Sequence, residues 1–191
     1  LIFELINEPR DKFSGDIMSN AQNRVLSMVR QSNPTRIVIL SGDDWATTRG
    51  LKNLYIPPDP NVMVSVHYYD PFKFTHQGAS WTETPIATGA TWGSEKDIKN
   101  LAAYADGLAK WQEKHQVPIF FGEFGVIDNV SVVQRAKWTA AVRSAMEAVN
   151  VSWCYWDFAT GFHAFDQRRG IWSPLILDAL VPKTKTAKAT S

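Results

Sequence analysis

The chain of 191 residues is 45% hydrophobic and sets 20 basic against 19 acidic side chains, for a net charge of +1. So balanced a charge sets up no field to recruit nucleic acid or an anionic membrane, and no apolar run reaches the ~20 residues that cross a bilayer; the expected partner is neutral. A single cysteine, Cys154, leaves no internal disulfide or thiolate metal cluster, while 8 Trp, 5 Tyr and 10 Phe exceed what a core of this size needs and suit sugar stacking.

Short apolar runs alternate with helical patterns, as in βα units around a parallel sheet. The first expected strand, Leu1 to Asn7, runs into Glu8-Pro9. A carboxylate fixed before proline at a strand end lies where parallel βα folds place their chemistry, so Glu8 is a candidate catalyst; the alternative is a solvated loop carboxylate. Ile17, Ala21, Val25, Met28 and Val29 then predict a helix with an apolar stripe. Strand two spans Arg36 to Ser41, with Trp45 in the loop after it. In strand three, Val62 to Tyr69, period two puts Met63, Ser65, His67 and Tyr69 on one face and Val64, Val66 and Tyr68 on the other. His67 with Tyr69 at a strand end suits a hydrogen-bond relay that holds a carboxylate ionised. A metal-dependent hydrolase using His67, Asp70 and His76 is the weaker reading, because no second His or Asp stands at ligand spacing in that strand.

Ile98, Leu101, Ala102, Ala105, Leu108 and Ala109 predict a second helix, capped by Ser94 with Asp97 and stopped before Pro118. Strand four, Pro118 to Phe124, carries Phe121, Glu123 and Gly125 on one face by strict alternation. A charge in so apolar a run is costly unless used or paired, so Glu123 is either a catalyst or a partner of a buried Arg; Gly122 and Gly125 leave room for close approach. Val133, Ala136, Ala140, Ala141, Ala145 and Met146 predict a third helix, and strand five, Val151 to Phe158, places Cys154 with Trp156. Trp156 is either a sugar platform or core. Trp45, Trp81, Trp92 and Trp172 fall in loops after strands, where a cleft would form. Residues 1–182 read as one domain and 183–191 as a flexible tail.

In order along the chain, Phe3-Glu4-Leu5-Ile6-Asn7-Glu8-Pro9, His67-Tyr68-Tyr69, Gly122-Glu123-Phe124-Gly125 and Tyr155-Trp156-Asp157-Phe158 resemble the strand-end motifs of glycoside hydrolase family 5. The stretch from His67 through Phe72 to Thr75-His76-Gln77-Gly78-Ala79-Ser80-Trp81 resembles the bacterial endoglucanases of that family, some of which also cut mannan. The resemblance implies an α/β fold, a (β/α)8 TIM barrel of which this chain supplies about five βα units, from strand four to strand eight. It implies a retaining endo-β-1,4-glucanase with Glu8 as acid/base and Glu123 as nucleophile. Asn7 would bind the sugar 2-hydroxyl, His67 and Tyr69 would stand beside the nucleophile, and Trp156 would lie under the sugar. His76 and Trp81 would belong to the cleft loop, with Trp45 a further substrate contact and Glu4 a structural ion-pair member. It implies no cofactor and no metal, a β-linked polysaccharide as partner, and secretion from a bacterium. A β-mannanase and a catalytically weak or silent carbohydrate-binding fragment are the alternatives. Because five βα units fall short of the eight of such a barrel, the expectation is an open sheet that a complementing N-terminal barrel segment, carrying the Arg and His that the family also uses, completes, or that self-associates through its edges.

Overall fold

A computed structural model describes residues 1–183. Apart from Lys183, the expected tail lies outside the described residues. The chain divides into two compact units: Leu1–Tyr68, Lys99–Phe124 and Ala145–Tyr155 form the first, and Tyr69–Ile98, Gly125–Ser144 and the residues from Trp156 onward form the second.

The first unit is built on one parallel five-stranded sheet in chain order: β1 (Phe3–Glu4), β2 (Val38–Ser41), β3 (Val62–Tyr68), β4 (Ile119–Phe124) and β5 (Ser152–Trp153). The five predicted strands are all present, with shorter ladders. β2 is buried throughout, and β3 nearly so, on Val62, Val64 and Val66, because a parallel strand covered on both faces can dispense with polar alternation. Where the β2 ladder ends, Gln22 takes over: its side-chain amide donates to the Ser41 carbonyl at 2.8 Å and accepts the Ser41 N–H at 2.9 Å, while Ser41 Oγ donates to the Ile6 carbonyl at 3.1 Å. These bonds pair backbone groups that burial would otherwise leave unsatisfied, and they fix the segment leading to Glu8.

Helix α1 (Gly15–Ser32) follows β1, with Asp16 in its first turn and Arg30 in its last, as the helix dipole favours. Its buried face is Met18, Ser19, Gln22 and Leu26. The predicted stripe was out of phase: Ile17, Val25 and Met28 are exposed. Polar Gln22 and Ser19 carry buried hydrogen bonds, so an apolar tally mistook the face that the sheet uses. α2 (Asp43–Ala46) is a short turn in which Asp44, Trp45 and Ala46 all have positive φ.

In the second unit, α3 (Phe72–Thr75) and α6 (Pro174–Leu180) accompany a two-stranded hairpin of β6 (Phe165–Asp166) and β7 (Ile171–Trp172). Helix α4 (Glu95–His115), which belongs to the first unit from Lys99 onward, starts on the expected cap: the Asp97 carboxylate accepts the Ser94 N–H at 2.9 Å, and Ser94 Oγ accepts the Asp97 N–H at 3.2 Å. It buries Leu101, Ala105 and Leu108 as predicted, but Ile98 and Ala102 are exposed. Helix α5 (Val132–Ala148) buries Met146 as predicted, but with Arg135, Trp138, Thr139 and Val142 rather than with the rest of the predicted row, of which Val133 is exposed. The alanines flank that face; the indole of Trp138, fully buried with its N–H on the Asp70 carbonyl at 3.0 Å, centres it.

Candidate active site

Three side chains of the first unit converge at the C-terminal side of the sheet. His67 Nδ1 lies 2.9 Å from Glu8 Oε1 and 3.5 Å from Glu123 Oε2. One nitrogen of His67 and one oxygen of each carboxylate all lie within 4.8 Å of one another. The imidazole is 2% exposed, while the Glu123 carboxylate is 13% and the Glu8 carboxylate 22% exposed, so the histidine is a buried base plate and the acids reach solvent. Glu8 itself has φ 41, a left-handed conformation that favours glycine and that a non-glycine residue holds only where its surroundings impose it. Here buried Pro9 anchors the next residue, and its carbonyl accepts the Trp45 N–H at 3.3 Å.

A one-residue bulge in β4 aims Glu123. Val66 pairs with Phe121, yet His67 pairs with Glu123, leaving Gly122 as the extra residue. The expectation that Phe121 and Glu123 share a face is therefore corrected. The Phe121 ring is fully buried, 6.0 Å from Tyr68 and 6.4 Å from Tyr104, and 5.5 Å from Phe124, whereas Glu123 turns to His67. Only glycine suits the bulge, because a methyl on Gly122 would stand 2.6 Å from Ser65 Oγ and 3.0 Å from His67 Nε2.

The other predicted residues of this unit are exposed. Asn7 lies beside Glu8 in the chain, and Trp45 is 47% exposed with the Arg10 guanidinium 5.7 Å from its ring centre. Glu4 is exposed and forms no ion pair among the described residues, against the expected structural role. Cys154 is exposed as a residue, and partial desolvation of its thiol, with Glu123 and Glu4 nearby, raises its pKa above the ordinary value.

The second unit gathers Tyr69, expected beside the nucleophile, with His76 and Trp81, expected in the cleft loop, around Phe162, a ring not among the predicted site residues. His76 stacks on Phe72 at 4.0 Å and meets Tyr69, Phe162 and Trp81 edge-on at 4.9, 5.3 and 6.3 Å. The Thr75 hydroxyl spends its proton on the Tyr69 carbonyl at 2.6 Å, so at 3.0 Å from His76 Nδ1 it accepts, and the imidazole carries a proton on Nδ1. Trp81 is 61% and Trp156 45% exposed, whereas Trp92 is buried and serves packing. The space that a side chain on Gly125 would need is filled by the Trp156 carbonyl, the close approach foreseen for that glycine. Among the described residues, Glu8, His67 and Glu123 form the one group of three or more side chains able to hold a metal ion; Asp70 and His76 are not part of it.

A parallel βα fold with two carboxylates and an imidazole converging at its strand ends is an arrangement compatible with the class of barrel glycosidases. The sequence matches the family model Cellulase (glycosyl hydrolase family 5) over residues 1–161, and the chain belongs to that family, whose fold is the (β/α)8 barrel. It is 32% identical over 157 residues to Endoglucanase H of Acetivibrio thermocellus, covering 82% of this chain and 16% of that protein. A solved endoglucanase structure superposes with a TM-score of 0.93 at 35% identity, covering 96% of this chain and 60% of that one. Thermotoga maritima Cel5A, solved with cellobiose, gives a TM-score of 0.92 at 34% identity over 95% of this chain and 59% of that one; its complex with mannotriose gives 0.91 at 33% identity over the same shares. The chain thus spans about 60% of these solved chains.

Proposed function

We propose that this chain carries both catalytic carboxyls of a retaining endo-β-1,4-glucanase. Glu123 attacks the anomeric carbon as the glycosidic C–O bond breaks, and Glu8 gives its proton to the leaving oxygen. Glu8 then takes a proton from water, whose oxygen displaces Glu123 from the sugar. The observation that carries this reading is the convergence of both carboxylates within 4.8 Å around His67. Retaining enzymes hold their carboxyls about 5–5.5 Å apart, whereas inverting ones leave about 6.5–9.5 Å for a water. His67, bonded to Glu8 and close to Glu123, keeps the pair in register. In the first unit, exposed Asn7 and Trp45 offer an amide and a ring face suited to a neutral sugar; in the second unit, the Tyr69, His76 and Trp81 cluster and exposed Trp156 offer ring faces of the same kind.

Cellobiose in one Cel5A structure supports glucan as substrate, and mannotriose in another supports mannan as the second reading. Hydrolysis of carboxymethylcellulose against galactomannan decides between them, and proton NMR of the first product separates β-anomer retention from inversion. If Glu8→Gln and Glu123→Gln leave hydrolysis unchanged, the assignment fails. Secretion follows from a polymeric substrate and is tested by locating the protein in culture fluid.

The reading includes a protein partner. Among the described residues β1 pairs only with β2 and β5 only with β4, and Ile2, Ile17 and Met28 are exposed. A complementing barrel segment, or a second copy, covers these groups. Light scattering with a cellulose assay, on the chain alone and mixed with such a segment, tests this; a fully active monomer of the chain alone overturns it.

A further inference from the structure

We propose that Arg135 is a positioning residue for the sugar-facing aromatic cluster of the second unit and acts through Phe162, an inference that rests on the glucanase reading. Arg135 lies on the buried face of α5, 4% exposed, where an arginine is costly unless every donor is used. Its Nε donates to the Val126 carbonyl at 3.1 Å, and its Nη2 donates to the Phe162 and His163 carbonyls at 2.8 Å each. Its Nη1 meets Asp128 Oδ1 at 3.0 Å. One planar guanidinium thus ties together the segment after β4 and the loop of residues 160–164. Asp128 closes the tie from the other side: its N–H donates to the Gly161 carbonyl at 2.9 Å, and its Oδ2 lies 2.6 Å from His163 Nδ1.

What this arrangement holds is the Phe162 ring. It stands 5.3 Å from His76, 6.0 Å from Tyr69 and 6.3 Å from Trp81, at the centre of the cluster assigned to the sugar chain. The adjoining segment is fixed in the same way, since the Ile127 N–H donates to the Thr75 carbonyl at 2.9 Å and Thr75 Oγ orients His76. Shifting the Phe162 backbone therefore moves the surface against which His76 and Trp81 rest. Lysine cannot replace this tie, because a point charge on a flexible stem lacks the fixed fork that serves three carbonyls and a carboxylate together.

The test measures binding of a soluble cello-oligosaccharide by calorimetry in the full chain carrying Glu123→Gln, which blocks turnover. Arg135→Lys and Phe162→Leu are each expected to weaken Kd about three- to tenfold with stoichiometry unchanged, the scale of one aromatic contact. The double variant is expected to bind no more weakly than the weaker single variant, because both act on one ring. An unchanged Kd in Arg135→Lys, multiplying effects in the double variant, or a fall in stoichiometry at constant Kd would overturn the inference and leave the glucanase reading intact. Failure of the Glu123→Gln parent to bind at all overturns both.

Discussion

Nδ1 of His67 stands 2.9 Å from Oε1 of Glu8, a buried imidazole bonded to a half-open carboxyl. Replacing His67 with Gln removes that orientation and is expected to lower kcat on glucan about 10²-fold. The roles of the two acids separate with the leaving group. On a dinitrophenyl glycoside, which departs without a proton, Glu8→Gln should keep its initial burst of phenolate while Glu123→Gln loses it. Stopped-flow absorbance reads both.

The bulge at Gly122 yields a second expectation. The methyl of Gly122→Ala would press on Ser65 Oγ and His67 Nε2, both on buried residues. Overpacking of this kind costs about 1–3 kcal/mol. Because the displaced group is His67, kcat should fall at least tenfold at temperatures where the variant remains folded, as circular dichroism and a glucan assay would show.

Trp138 is the largest fully buried side chain among the described residues, and its indole N–H is bonded to the Asp70 carbonyl. Trp138→Ala should cost about 3–5 kcal/mol by cavity formation. Trp138→Phe keeps most of the ring volume and should cost clearly less, chiefly the unsatisfied carbonyl. Urea unfolding would compare them.

Two aspartates make opposite pH statements. At Asp59 the hydrogen bond from Arg30 is the largest influence and the pKa is lowered, so its stabilisation is present above the ordinary aspartate value and is lost as pH falls through the folded value. At Asp128 burial is the largest influence and prevails over Arg135 and His163, so the pKa is raised. Stability therefore declines as pH rises from the ordinary aspartate value through the raised one. Asp128→Asn should remove that decline and Asp59→Asn the acid-side loss, both read from melting temperatures between pH 3 and 7.

The order of strands and the two acids were legible in the sequence because both rest on local signals. Val62, Val64 and Val66 mark a covered parallel strand in any context, and a carboxylate amid Phe121, Gly122 and Phe124 is costly wherever it is buried. The α4 cap was legible for the same reason, since Ser94 and Asp97 satisfy each other within one turn.

What the residues could not disclose one by one was which face meets which neighbour. Alternation placed Glu123 with Phe121, but a single extra residue in β4, fixed only by pairing with β3, reverses that face. The α1 stripe chose Ile17 over Gln22, because the worth of a buried glutamine comes from the strand end it satisfies, which lies 19 residues away. Arg135 carries no local signal in the sequence, because the four acceptors that hold it lie on other segments of the chain. The sequence by itself determined the βα order and the chemical groups available. Only tertiary structure decided their aim, because register, helix phase and the pairing of buried polar groups are energies of contact between segments, and those contacts exist only once the chain has folded.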